Sequence, residues 1–316
     1  MFTTKKQRIT IAILLVFTLV FTLIPSTKAF ASTTTQEKTD SYTLTYIENE
    51  LCKYLETKNI EPDTEEYVNY LVDMLNTEHD SELKKHPLYK EIRIYASEYL
   101  SDADSLSKSF EPNKSIDDVI AEAKKQSIED SKINNVDEIT PLATSSYSTS
   151  KAVAYAKEYA TYRNPVYNTY LKDCTNFVSQ CLVAGGKTMK KPSSIPLGLK
   201  TTTSYWYSVR YKHEHATYWE YKWKESTSFV NVGDLYTYCK NNGATIKTYT
   251  SLSSLQNNAK LGDIVQLKSS EGNWYHSIII TGGSAGDRSY CSHTRDRSDR
   301  DVSTLTGVSS FRIIRF

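Results

Sequence analysis

Asp173-Cys174-Thr175-Asn176-Phe177-Val178-Ser179-Gln180-Cys181-Leu182 is the stretch on which the reading of this chain turns. Asp is a residue type that caps helix N-termini, and Phe177, Val178, Cys181 and Leu182 recur at helical spacing on the face of Cys174. The segment predicts a short helix over Cys174–Ala184, closed by Gly185-Gly186. Its first turn holds a cysteine, where unpaired backbone N–H groups and the helix dipole favour an anion. A thiol so placed is expected to have a lowered pKa and to act as a nucleophile. The competing reading makes Cys174 the first residue of a buried stripe, because cysteine is so often buried.

Working outward toward the C-terminus, Leu261 to Leu267 reads as a turn and a strand, and Lys268 to Asn273 as a polar hairpin. Trp274-Tyr275-His276-Ser277-Ile278-Ile279-Ile280 follows, with His276 the one imidazole on an otherwise β-branched central strand. Facing the cysteine helix, His276 would lower the thiol pKa further and serve as general base and acid; facing elsewhere it is a core histidine. A third group must orient such an imidazole. Tyr290-Cys291-Ser292-His293-Thr294 ends the next strand, and an antiparallel neighbour can set His293 beside His276. Asp296 is the alternative, with Ser292 and Thr294 weaker candidates. Strands predicted at Asp263–Leu267, Tyr275–Thr281, Arg288–His293 and Phe311–Phe316 come after the helices, which indicates an α+β domain with an antiparallel sheet. Ahead of the cysteine helix, Ala152, Val153, Ala156, Tyr159 and Ala160 predict another helix, stopped at Asn164-Pro165.

Toward the N-terminus the pattern is helical throughout. Ile47, Leu51, Tyr54 and Leu55 make one stripe; Tyr67, Val68, Leu71, Val72 and Leu75 a second; Leu88, Ile92, Tyr95, Tyr99 and Leu100 a third; Ile116, Val119, Ile120 and Ala123 a fourth. These read as a small all-α module over 32–131. Pro141 and a Thr/Ser cluster give 132–146 the composition of a linker, so the module is expected to be separable from a second domain at 147–316. Lys5, Lys6 and Arg8, the apolar run Ile9–Ile24 and the small residues of Ala29-Phe30-Ala31 together read as a cleavable signal peptide over 1–31. The expected location is therefore extracellular, with no stable membrane insertion after cleavage.

The formal charge of the chain is +1. Residues 1–31 hold four cations and no acid, so the remainder carries −3 and offers no basic footprint for nucleic acid. Five cysteines, an odd number, leave at least one unpaired, and the chain is too long to need a disulfide staple. Cys52, Cys181, Cys239 and Cys291 sit in apolar patterns and read as buried free thiols. Between the two halves of the second domain lies an aromatic run that includes Trp206, Tyr211, Tyr218, Trp219, Tyr221 and Trp223. With Trp274 these tryptophans are candidates to line a substrate cleft, or else they form a loop with its own aromatic core. His213 and His215 could be a metal pair, but the sequence shows no third ligand at zinc spacing, so they read as solvated histidines and no metal or other cofactor is expected.

Asp173 to Gln180, Ala184-Gly185-Gly186, Gly262-Asp263-Ile264-Val265-Gln266, His276-Ser277 and Ser292-His293-Thr294 occur in an order that resembles the putative amidase domain of Gram-positive bacteria. That family is similar to the NlpC-type and CHAP cell-wall hydrolases. The resemblance covers about 147–316 and implies a papain-like fold, with the catalytic helix packed on an antiparallel sheet. It implies Cys174 as nucleophile, His276 as base, His293 as the third polar residue, and Tyr167 or Tyr170 near the oxyanion beside the capping Asp173. The implied activity is hydrolysis of amide bonds, with peptidoglycan or another peptide-containing polymer as substrate. A non-catalytic protein that binds cell wall or glycan through the aromatic cleft is the alternative function.

Overall fold

The computed structural model describes residues 41–101, 111–133 and 147–316. The expected signal peptide, and the expected linker apart from its first two residues, lie outside the described residues. Helices α1 (Leu44–Glu56), α2 (Glu65–Thr77), α3 (Tyr89–Ser101) and α4 (Ile116–Ile133) form where the apolar stripes place them. Thr43 and Thr64 cap the first two by accepting the N–H groups of Tyr46 and Tyr67. Helices α5 (Thr149–Tyr159) and α6 (Cys174–Ala184) follow. The aromatic run, whose sequence offered a cleft lining or a loop with its own core, forms a small sheet. Strands β1 (Gly198–Lys200), β2 (Ser208–Glu214) and β3 (Trp219–Ser226) lie in the order β1-β3-β2. After it come α7 (Thr227–Val230), α8 (Val232–Asn241), β4 (Thr245–Tyr249) and α9 (Leu252–Asn258). Strands β5 (Ile264–Lys268), β6 (Trp274–Ser284), β7 (Asp287–Ser292), β8 (Arg297–Asp301) and β9 (Ser310–Arg315) complete the main sheet. Its order is β4-β9-β5-β6-β7-β8 and each neighbouring pair is antiparallel. The α+β class read from the sequence is the one observed.

A tight turn starts β5. Gly262 has φ +81°, and a Cβ there would meet the Thr149 methyl at 3.0 Å, so the position suits glycine. The Asp263 carboxylate accepts from the Lys260 N–H at 2.7 Å and from Arg315 Nε at 2.8 Å, tying the turn to β9.

Both faces of the main sheet are covered. Ile264, Ile279, Cys291 and Ile314 share a core with Phe177, Val178, Cys181 and Leu182 of α6 and with Leu235 of α8. On alternate positions Val265, Leu267, Ile278, Ile280, Phe311 and Ile313 share a second core with Leu51, Leu71, Leu75, Ile92 and Tyr95 of α1–α3. Burial on both faces leaves little place for polar residues, which is why β6 reads as a nearly continuous apolar run.

The N-terminal helices and the main sheet share a core. Residues 41–316 form one compact unit, because the stripes of α1–α3 are spent on the sheet rather than on one another alone. Polar links reinforce the contact. Tyr275 Oη donates to Asn76 Oδ1 at 2.6 Å, Arg93 Nη2 to the Gly307 carbonyl at 2.8 Å, and Arg297 Nη2 to Asp73 Oδ1 at 2.7 Å. Each buried Leu, Ile or Val contributes about 1.5–3 kcal/mol, against about 1 kcal/mol for a net hydrogen bond, so apolar burial dominates. Residues 147–316 expressed without the helices should therefore aggregate or bind a hydrophobic dye, while 41–316 should melt in one cooperative step by circular dichroism. A soluble 147–316 fragment with its own sharp melt would show that the helices are dispensable to the core.

Candidate active site

Cys174 opens α6 and Asp173 takes the N-cap position, as expected, but the Asp173 side chain does not do the capping. Asp173 makes no side-chain capping bond; instead the Cys174 N–H donates to Thr294 Oγ1 at 2.9 Å. The Asp173 carboxylate, wholly buried, turns to other donors. Oδ1 accepts from the Tyr170 N–H at 3.2 Å and from Asn176 Nδ2 at 2.8 Å. Oδ2 lies 2.6 Å from His293 Nδ1 and 3.2 Å from Arg163 Nε. A buried carboxylate needs this many donors to offset its lost hydration.

Those bonds decide the place of His293. Its other ring nitrogen, Nε2, lies 2.7 Å from the Tyr159 carbonyl, and the ring stacks on Phe177 with centroids 4.0 Å apart. Both nitrogens are engaged, so His293 does not orient a second imidazole in this arrangement. Asp296, the alternative, pairs with Arg163 Nη1 at 2.9 Å, and its Oδ1 is buried without a partner. Neither reaches His276.

His276 lies across from Leu267 in the β5–β6 register, and Leu267 belongs to the core beneath α1–α3. The ring is fully buried, with no hydrogen-bond partner on either nitrogen. Burial, with the positive charge of Arg297 adding to it, depresses its pKa from 6.5 to about 3. The expected Cys174–His276 hydrogen bond is therefore not made. Contact between the helix and β6 falls one residue later. Thr175 Oγ1 is 3.0 Å from Ser277 Oγ, and the Ser277 N–H acts on the Cys174 thiol.

The thiol also departs from expectation. Burial pushes its pKa up, and the Ser277 N–H with the hydroxyls of Thr175 and Thr294 oppose that shift without overcoming it. A helix terminus supplies about 0.3–1 kcal/mol at exposed positions, less than the loss of hydration at a buried sulfur. Thr294 and Arg295 hold left-handed backbone, φ 56° and 82°, immediately after His293. For residues with a Cβ this is strained by roughly 1–3 kcal/mol each, and such strain gathers at functional sites.

Of the aromatic residues expected in a cleft, Trp274 packs beside Cys174 and Val232, with the Arg312 guanidinium 3.9 Å above its ring. Trp206 is a core residue, 2% exposed, donating from Nε1 to Ser179 Oγ at 3.1 Å. Trp223 Nε1 donates to the Val166 carbonyl at 3.0 Å, and Trp219 is exposed on β3. Tyr167 stacks on Phe229, and burial raises its pKa to about 12; the Tyr170 hydroxyl donates to Glu225 Oε2 at 2.5 Å. Neither bond set brings a tyrosine to the thiol. All five cysteines are free. Arg163 and Ser277 were missed in the sequence. Nothing there marked Ser277 except its place after His276, and an arginine just before a helix-stopping Asn-Pro is ordinary.

Comparison with known proteins adds a family. A family model described as a putative amidase domain matches residues 146–314, just over half of the chain. A protein of Bacillus subtilis (strain 168), described as the uncharacterized protein YhbB, is 51% identical over 39 residues. That stretch is 12% of this chain and 12% of the relative, so the chain spans about an eighth of the curated relative it matches. No solved structure matches the chain.

The burial of His276 has a consequence for stability. The folded ring stays neutral, while the unfolded ring takes up a proton below its ordinary value of 6.5. Acid therefore favours unfolding through this group, by about 1.4 kcal/mol for each pH unit between 6 and 4. Urea melts of the protein and of His276→Leu over that range should diverge with this slope, the variant losing less. Parallel slopes would show that the folded ring titrates normally.

Proposed function

The chain belongs to the putative amidase domain family, and from that premise we propose that it hydrolyses amide bonds with Cys174 as nucleophile and His276 as general base and acid. One observation carries the reading: Cys174 stands in the first turn of α6 with its thiol under the Ser277 N–H and the hydroxyls of Thr175 and Thr294, donors suited to a thiolate and to a developing oxyanion. His276 is joined through its own carbonyl to that Ser277 nitrogen, so its backbone is already beside the sulfur. Its ring makes no hydrogen bond that would have to be broken before it moved. A buried group left without partners costs about 1–3 kcal/mol, which favours any arrangement that gives the ring one. The described arrangement is on this reading a resting one. In the working one the imidazole takes the thiol proton, the thiolate adds to the amide carbonyl, the imidazolium protonates the leaving amine, and water releases the acyl group. His293 and Asp173 act as positioning residues: their pair holds the start of α6 against the end of β7. The fold is papain-like on this reading, and export by the N-terminal signal makes peptidoglycan peptides the substrate.

The test is incubation of the protein with purified peptidoglycan and mass analysis of the soluble fragments, whose new amine and carboxyl ends identify the bond cut. Cys174→Ala should lower release by several orders of magnitude, as removal of a nucleophile commonly does, while leaving the melting temperature within a few degrees. Undiminished release by that variant would sink the cysteine mechanism. The unpaired Cys174 and His276 favour a second reading, a wall-binding protein without catalysis. It predicts co-sedimentation with peptidoglycan, equal for the protein and Cys174→Ala, and no fragments from either.

A further inference from the structure

Away from Cys174, the hairpin of β2 and β3 gathers three side chains that the sequence keeps apart. His213 is on β2, and His215 lies just past the end of that strand, where the chain turns toward β3. His213 pairs directly with Glu220 of β3. One ring nitrogen from each histidine and one carboxylate oxygen of Glu220 all lie within 4.8 Å of one another. His215 Nε2 is 2.8 Å from Glu220 Oε1, and the two imidazole planes stand at 88° with centroids 4.6 Å apart. Read along the chain, this was a histidine pair without a third ligand. The third ligand comes from the facing strand, where sequence spacing does not show it.

We propose that His213, His215 and Glu220 bind a divalent ion of the zinc class on this face of the hairpin. Two imidazoles and one carboxylate are a donor set that zinc accepts as three protein ligands, with a fourth position left to water. Calcium and magnesium take oxygen ligands, and two nitrogens of three select against them. The three groups are half-buried, so an ion can reach them. Lys222 Nζ, 3.0 Å from Glu220 Oε1, is the cation an incoming ion competes with. The ring of His215 is already oriented: Tyr218 stacks on it at 4.2 Å, and the His215 N–H donates to the Tyr218 carbonyl at 2.8 Å across the turn. Outer contacts of this kind fix a ligand's direction. The bound ion would clamp the tip of a hairpin that displays Trp219 and Tyr221 to solvent.

The experiment is calorimetric titration of the tag-free, chelator-stripped protein with Zn²⁺, followed by the absorption spectrum of its Co²⁺ complex. One equivalent should bind, and His213→Ala and Glu220→Gln should each weaken binding by about tenfold or more, the size of loss seen even for outer contacts. His79→Ala should bind as the unaltered protein does. The Co²⁺ spectrum should show ligand-field bands without thiolate-to-metal charge transfer, which separates this site from the cysteines. Absence of binding, binding that survives either substitution undiminished, or a cobalt–thiolate band in place of the expected spectrum would each overturn the proposal. Circular dichroism of both variants confirms that a loss reflects the ligand and not the fold.

Discussion

Asp173 accepts from the Tyr170 amide, the Asn176 side chain, His293 and Arg163 at a position with no exposure to solvent. A lone buried carboxylate would cost many kcal/mol, so the surroundings have to converge on it. The convergence fixes geometry well beyond one residue. It draws the end of β7 against the start of α6, holds the loop that precedes the helix, and through Arg163 reaches Asp296. Phe177 stacks on the His293 ring, and Thr294, next in the chain, is left to cap the helix in place of Asp173. Cys174 inherits its position from these contacts. Removing one partner of a buried pair commonly destabilises by 3–5 kcal/mol, roughly a third of a typical domain's stability.

The same burial works against an activated thiol at rest. A helix terminus and three hydrogen-bond donors favour the thiolate, but the sulfur is shut away from water beside the negative Asp173, and the balance leaves its pKa raised. The imidazole expected to help is itself dehydrated and faces the positive Arg297, so it stays neutral. Each shift is what burial does to an isolated ionisable group: it favours the uncharged form. Bringing the two together would change both, because each charged form would then have a counter-charge.

How much of this was legible depended on which signals survive in one dimension. Helical stripes do, and α1–α6 stand where Leu51, Leu71, Ile92, Val119, Ala156 and Phe177 place them. The Gly262-Asp263 turn and the strands around Val265, Ile279 and Ile313 were equally plain. β2 and β3 were not, since Arg210, Lys212, Glu220 and Lys222 alternate with aromatics instead of aliphatics on strands that are largely exposed. β8, Arg-Ser-Asp-Arg-Asp, has no apolar pattern at all. The direction of His276 was hidden for a different reason. On a strand with one buried face, polarity would mark the side it points to. Here both faces are buried, so Ser277 toward α6 and His276 opposite Leu267 look alike in the sequence. The packing of α1–α3 on the sheet was hidden similarly: an amphipathic stripe shows that a helix is covered, not what covers it.

Several departures from relaxed geometry and full hydrogen bonding remain in the fold. The main sheet is antiparallel throughout, with register shifts at Leu267/Lys268, Ile280/Gly282 and Tyr290/Ser292. The departures include an imidazole, His276, with two orphaned nitrogens, a buried carboxylate oxygen of Asp296 without a partner, and two left-handed residues, Thr294 and Arg295. Each departure costs of order 1–3 kcal/mol, in sum a sizeable share of the stability of an ordinary domain. A core selected for stability alone would replace His276 with an isoleucine or leucine, as its neighbours on the strand show is acceptable. Local rules are broken where another requirement overrides them. Thr294 and Arg295 stand beside the start of the helix that opens with Cys174, whereas the His276 ring lies on the other face of the sheet, so the two departures have separate local causes.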